Sequence, residues 1–212
     1  KACPNKVMEL VGKEYSVDEV IKIVAADKIF YDNSGGGVTI SGGEPTMHFS
    51  FLISLLQKLK EKSIHSAIET CGFFNEKHLD ELVELVNLFL FDIKHVDPVI
   101  HEKFTGVRNE KIKENFKKIV NKTDSKRLLC RIPIIPGFNK DLDVIKGIAD
   151  FLNEVSYSNE VHLMPYNKLA KTKYEKVGMG HSYKDMGELS ERELEKIRET
   201  FTNQGFKEVI NQ

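Results

Sequence analysis

Residues 34–46 read SGGGVTISGGEPT, and the fold turns on how they are read. Val38, Thr39 and Ile40 form a β-branched run that favours a strand, with glycines at both ends. The run delivers Gly42, Gly43 and Glu44 to a turn. Pro45 biases Glu44 away from the right-handed helical region, and an amphipathic segment follows over residues 49–60. That is strand, glycine turn, helix. In β/α folds the loop leaving the carboxyl end of a strand is where ligands sit. Two adjacent glycines let backbone groups approach a ligand, and Glu44 adds negative charge, so such a pocket prefers a cationic group. A phosphate cradle would want a lysine or a bare helix N-terminus, so GGE argues against phosphate. Taken alone, the stretch is better read as a tight turn with an exposed glutamate.

The composition sets outer limits. With 212 residues, 41% hydrophobic and 30% charged, the sequence suits one domain with a sizeable core. A net charge of -1 predicts no electrostatic hold on nucleic acid or a membrane surface. No apolar run is long enough to span a bilayer, and KACPNKVMEL is not a signal peptide. Cys3, Cys71 and Cys130 are odd in number and far apart, which fits a reducing compartment and a cytoplasmic protein.

Outward from the opening stretch, two periods alternate. Ser16 with Glu19 forms a capping box ahead of a helix through Val17, Val20, Ile21 and Val24. Residues 65–70 read as a strand stopped by Cys71-Gly72, and residues 76–85 as a helix with Leu79, Leu82 and Val83 on one face. Residues 88–93, LFLFDI, are a continuous apolar run expected of a strand buried on both faces. Helices are expected over 109–120, 142–155 and 189–201, and strands over 128–135, 161–164 and 206–210. About five or six such units imply a parallel sheet with right-handed crossovers, an open or partial (β/α) barrel.

In a parallel barrel the carboxyl ends of the strands converge, and the polar residues fall there. Glu44, Glu69 with Thr70, Asp92 with Lys94, Arg131 and Asn167 lie at or near successive strand ends. Singly, each has a structural reading: Asp92 pairing with Lys94, Arg131 in a surface ion pair, Asn167 capping a turn. Jointly, Glu69, Thr70 and Asp92 suit a hard cation or the hydroxyls of a ribose, while Lys94 and Arg131 suit a carboxylate. A ligand with an amine, a carboxylate and a sugar would use them all.

The segments SGGGVTISGGEPT, ETCGF (69–73), LFDIKH (90–95), RIPIIPGFN (131–139) and HLMPYNKLAKTKYEKVGM (162–179) occur in this order over nearly the whole chain. Together they resemble the activating enzymes of glycyl-radical enzymes, a branch of the radical S-adenosylmethionine (SAM) superfamily of the pyruvate formate-lyase activating enzyme type. The resemblance implies a partial radical SAM (β/α) barrel in which a [4Fe–4S] cluster binds SAM. It implies one-electron cleavage of SAM to methionine and a 5′-deoxyadenosyl radical, which removes a hydrogen from a glycine of a partner enzyme. A glycyl-radical enzyme is thus the implied protein substrate, with a flavodoxin or ferredoxin-type electron donor. Within it, Gly42, Gly43 and Glu44 match the motif that contacts the SAM amine. Thr70 and Asp92 match positions of a monovalent-cation and SAM site, with Glu69 where the family has an aspartate. Lys94 matches a lysine that contacts SAM, and Arg131 an arginine near its carboxylate. Asn167 stands where a histidine lies near the ribose, and Ile134, Ile135 and Pro136 fit an apolar wall for the adenine or simple strand core.

One family feature is missing from the sequence: the CxxxCxxC loop that supplies three thiolates to the cluster. The opening ACPNKVMEL resembles the end of a ferredoxin-type motif. The chain is therefore expected to lack the first β/α unit, with residues 1–15 the tail of a ferredoxin-like insert and linker and 16–212 the barrel. On this reading Cys3 would ligate an accessory cluster in the full protein, and the chain alone would be inactive. Cys71 and Cys130 read as fillers, His48 and His95 as surface or supporting residues at the cleft mouth, and GMGHSY (178–183) as a loop. The other readings are a radical SAM enzyme acting on a small molecule, and a cluster-less module that binds SAM or a peptide.

Overall fold

The structure is a computed structural model of the 212-residue chain and describes residues 12–210. Six strands form one sheet: β1 (Gly37–Ile40), β2 (His65–Thr70), β3 (Leu88–Asp92), β4 (Leu128–Ile134), β5 (Val161–Pro165) and β6 (Glu208–Ile210). Every neighbouring pair is parallel, and the spatial order is the chain order. That order matters. A doubly wound sheet reverses its strand order and covers both faces, whereas unbroken sequential order with right-handed crossovers keeps the helices on one face and curls the sheet toward a barrel.

The helices are α1 (Val17–Ala25), α2 (Lys28–Ser34), α3 (Phe49–Glu61), α4 (Leu79–Leu85), α5 (Pro98–Thr105), α6 (Glu110–Lys122), α7 (Leu142–Glu154), α8 (Ala170–Lys176) and α9 (Glu191–Asn203). Two begin with the device their sequences promise. In α1 the Ser16 hydroxyl accepts from the Glu19 amide while the Glu19 carboxylate accepts from the Ser16 amide, and Ser190 with Glu193 repeats this at α9. The inward faces follow the helical period, with Leu52, Leu56 and Leu59 on α3, Ile145, Ile148, Ala149 and Leu152 on α7, and Leu194, Ile197 and Phe201 on α9. On α4 Leu79, Leu82 and Leu85 are buried, and the half-buried Val83 packs against the same core, in keeping with the expected stripe.

The core lies between these helices and the outer face of the sheet, built from Ile68, Phe89, Phe91, Cys130, Ile132, Val161 and Leu163 against Leu52, Leu82, Phe116, Ile148 and Phe201. The expectation that 88–93 is buried on both faces does not hold. Phe89 and Phe91 are fully buried, but Leu88, Leu90 and Asp92 are half-buried. The reason is architectural: one face of the strand meets helices, and the other faces the open interior of an incomplete barrel. The sequence reading also lacks α2, α5 and α8, each of seven or eight residues. Among the described residues no helix is long and apolar enough to cross a membrane.

Candidate functional site

Strand alternation puts Glu69, Leu90, Asp92, Leu129 and Arg131 on the inner face of the sheet: Glu69 pairs with Leu90 in register, and Asp92 with Arg131. The charged members form a row. Arg131 Nη1 donates to Glu69 Oε1 at 2.6 Å, while its Nε donates to Asp92 Oδ1 at 2.9 Å and its Nη2 lies in ion-pair contact 2.8 Å from the same oxygen. Ser41, from the loop after β1, donates to the other oxygen of Glu69. Lys94 Nζ lies 4.0 Å from Asp92 Oδ2, longer than a hydrogen bond. The order is Ser41, Glu69, Arg131, Asp92, Lys94, spanning β1 to β4. The Ser41 hydroxyl, and then Arg131, hold the Glu69 carboxyl below its ordinary value. Burial pushes Asp92 up, against the pull of Arg131 and Lys94.

This geometry corrects three expectations. Arg131 is not at a strand end but in the middle of β4, where register sets it opposite the last residue of β3. Nor is it in a surface ion pair or poised for a ligand carboxylate, because it is 9% exposed and its guanidinium is taken by Glu69 and Asp92. Finally, Glu69, Thr70 and Asp92 do not gather as one set. Successive residues of a strand point to opposite faces, so Thr70 turns from the row and donates to Glu44 Oε1 at 2.8 Å. The cation between Glu69 and Asp92 is Arg131. Among the described residues no cluster of three or more His, Cys, Asp or Glu side chains could hold a metal ion.

The turn after β1 is also more bound than it reads. Glu44 is half-buried: Oε1 accepts from the Thr46 hydroxyl (2.7 Å) and amide (3.3 Å) as well as from Thr70, and Oε2 accepts from the Cys71 amide at 2.8 Å. It therefore caps the short helical turn Pro45–His48 and ties it to the end of β2. Gly42 has φ +134°, a region L side chains rarely adopt, and Cβ atoms built on Gly42 and Gly43 would meet nothing within 4 Å. The two exposed glycines leave open space over the strand ends.

A cavity of about 450 Å³ opens beside Lys94, walled by Phe104, Ile135, Phe138, Tyr166 and Met186. The Tyr166 and Tyr183 hydroxyls meet at 2.7 Å at its edge. Of the proposed apolar wall, Ile135 lines this cavity, whereas Ile134 is fully buried strand core. Asn167 is exposed, and its Oδ1 accepts from the Leu169 amide at 3.1 Å, the turn-capping alternative. His48 is exposed, but His95 is buried at 4% exposure, with Nδ1 accepting from the Asp97 amide and its ring stacked on Phe138. Burial, then Glu44, push the Cys71 thiol up to about 11, and Cys130 is core, so neither is a nucleophile at neutral pH. Cys3 lies outside the described residues. The sequence reading missed Ser41, although it lies inside the opening stretch, because a serine in a glycine turn carries no sign of a partner 28 residues away.

Fold and site define a partial (β/α) barrel with charged side chains along its open inner face and an aromatic cavity at the carboxyl edge. Residues 2–147 match the family model of the Radical SAM superfamily, and the chain belongs to that superfamily. The isethionate sulfite-lyase activating enzyme of Oleidesulfovibrio alaskensis is 38% identical over 174 residues, 82% of this chain and 56% of that protein. The trans-4-hydroxy-L-proline dehydratase activating enzyme of Clostridioides difficile is 36% identical over 209 residues, 97% of this chain and 68% of that protein. The chain thus spans between roughly half and two thirds of the length of these relatives. Among solved structures, a domain of pyruvate-formate lyase-activating enzyme from Bacteroides vulgatus aligns with a TM-score of 0.68 and 29% identity. That alignment covers 84% of this chain and 99% of that one.

Proposed function

We propose that this chain is the barrel portion of a cytoplasmic radical SAM activating enzyme that installs a radical on a glycyl-radical enzyme, and that SAM lies along the Glu44–Lys94 edge of the barrel. The observation that carries the reading is the inner-face row that runs from Ser41, next to the open glycine turn, to Lys94 beside the aromatic cavity. The residues fit SAM in parts. Ile135, Phe138 and Tyr166 offer apolar and aromatic surface for an adenine, and Lys94, one of two lysines lining the cavity with Lys184, is the one that adjoins the charged row and would meet a carboxylate. Each Glu44 oxygen has more than one lone pair, so Oε2, with the Cys71 amide on it, can still accept from an amine approaching over Gly42 and Gly43. Asp92 is held by Arg131 on one oxygen and turns the other toward Lys94. In this reading Arg131 positions Asp92 and Glu69 instead of touching SAM.

SAM, when bound, supplies the group that abstracts hydrogen from the partner's glycine; the residues described here bind and orient it. Cys71 and Cys130 do not fit a [4Fe–4S] cluster, since two cysteines, one of them sealed in the core, cannot supply the three thiolates it needs. In this proposal the ligands of the cluster, the accessory clusters and the docking of a flavodoxin or ferredoxin-type donor belong to the full-length protein.

The test is to incubate the full-length protein, SAM and a reductant with candidate glycyl-radical enzymes under anaerobic conditions and record electron spin resonance. The expected result is a SAM-dependent organic radical on one partner polypeptide. No radical on any partner, with SAM-dependent turnover of a small molecule instead, would overturn the assignment.

A further inference from the structure

Beyond Asp92 and Arg131 the hydrogen-bonded ladder between β3 and β4 ends, with the Ile93 amide to the Arg131 carbonyl (2.9 Å) as its last bond. Lys94 is the next residue, so strand pairing does not fix it. Its carbonyl is held by a side chain instead. Asn139, fully buried, donates from Nδ2 to the Lys94 carbonyl and to the Pro133 carbonyl, both at 2.7 Å, and accepts at Oδ1 from the Ile135 amide at 2.7 Å. Its own backbone closes the same turn, with the Phe138 and Asn139 amides on the Ile135 carbonyl and Gly137 at φ +75°. Lys94, Ile135 and Phe138 all line the cavity beside the charged row.

We infer that Asn139 is a positioning residue for the ligand site, clamping the loop after β3 to the loop after β4 and thereby setting where Lys94 stands relative to the cavity. The inference rests on the SAM reading above. Only a neutral amide does this. Two donors meet two carbonyls while one acceptor meets an amide, and a carboxylate of the same shape would face both carbonyls with no proton to give. A residue that merely stabilised the β4–α7 turn would have no need of the bond to Lys94, which lies 45 positions away in sequence.

The experiment uses the full-length, cluster-loaded protein and measures SAM affinity by calorimetry in a double-mutant cycle of Asn139→Asp with Lys94→Ala. Loss of a positioned hydrogen bond predicts that Asn139→Asp weakens SAM binding roughly tenfold. In the Lys94→Ala background it should add almost nothing, because both changes remove the same contact. Amide hydrogen exchange should rise in residues 93–97 as well as in 133–138. Asn139→Ser, which is neutral and can reach one carbonyl at most, should weaken binding in the same way. Additive losses, or faster exchange confined to 133–138, would show a local structural role and overturn the inference, as would failure of both variants to fold. If Lys94→Ala alone leaves SAM affinity unchanged, the site reading itself fails. A loss at Lys94 with none at Asn139 fails this inference only.

Discussion

Arg131 sits between two carboxylates that would otherwise face each other across the barrel interior, and its removal leaves charge with no partner. Glu69 retains Ser41, but Asp92 retains only a lysine at 4.0 Å. Breaking a buried pair from one side typically costs about 3–5 kcal/mol, more than the pair contributes against an apolar replacement, because the orphaned charge stays desolvated. Arg131→Met is therefore expected to lower stability by about 3 kcal/mol at neutral pH in urea unfolding, with a smaller deficit in acid, where Asp92 takes up a proton. An unchanged midpoint would mean that the row is solvated and contributes little. The sequence named Glu69, Asp92, Lys94 and Arg131 as one group without showing who pairs with whom. That pairing depends on strand register and on which face each residue takes, and a residue list carries neither.

At the scale of elements, buried asparagines fasten the carboxyl-edge loops. Asn115 of α6 donates to the Gly72 and Phe74 carbonyls after β2, Asn109 donates to the His95 carbonyl, and Asn139 holds Lys94. Loops that leave a sheet lose the ladder that satisfied their carbonyls, so side-chain amides take over. The Asn115 bonds land where β2 turns at Gly72, which has φ +74° and would place a Cβ 2.0 Å from Phe91 Cζ. Gly72→Ala combines a strained backbone with overpacking and is expected to cost about 2–4 kcal/mol by thermal or urea unfolding. A loss below about 1 kcal/mol would show that Phe91 yields easily.

The α9 start gives a pH prediction. Lys140, then the Ser190 amide and hydroxyl, hold the Glu193 carboxyl down at about 2, against an ordinary value of 4.5. A lowered folded value means that its contribution is complete above about pH 4.5 and is lost as pH falls toward about 2. Glu193→Gln should flatten that part of the acid unfolding curve, and an identical acid limb in the variant would contradict it. The Ser16–Glu19 capping box was legible, since its spacing is local, whereas the one at Ser190 and Glu193 went unread. The short helices α2, α5 and α8 were not; α2, for one, leaves Ile29 and Phe30 exposed and so offers no inward stripe to find.

At the scale of the whole molecule, the alternation of strand and helix was enough to give a parallel sheet in chain order, because each crossover has one favoured hand. The alternation also implied an open or partial barrel, but not which strand faces the uncovered interior. An LFLFDI run looks doubly buried until the opposing wall is known to be absent, and the open side is where Leu90, Asp92 and Glu69 meet the cleft. The function proposed here depends on that openness: helices cover one face of the sheet and SAM takes part of the other.

The most direct measurement is reductive cleavage of SAM by the full-length, cluster-loaded protein, comparing wild type with Lys94→Ala at matched iron content and counting methionine and 5′-deoxyadenosine. The account predicts cleavage by the wild type and a loss of roughly tenfold or more in the variant, the order expected for removing one charged hydrogen bond. Undiminished cleavage by Lys94→Ala would contradict the placement of SAM along this edge of the barrel.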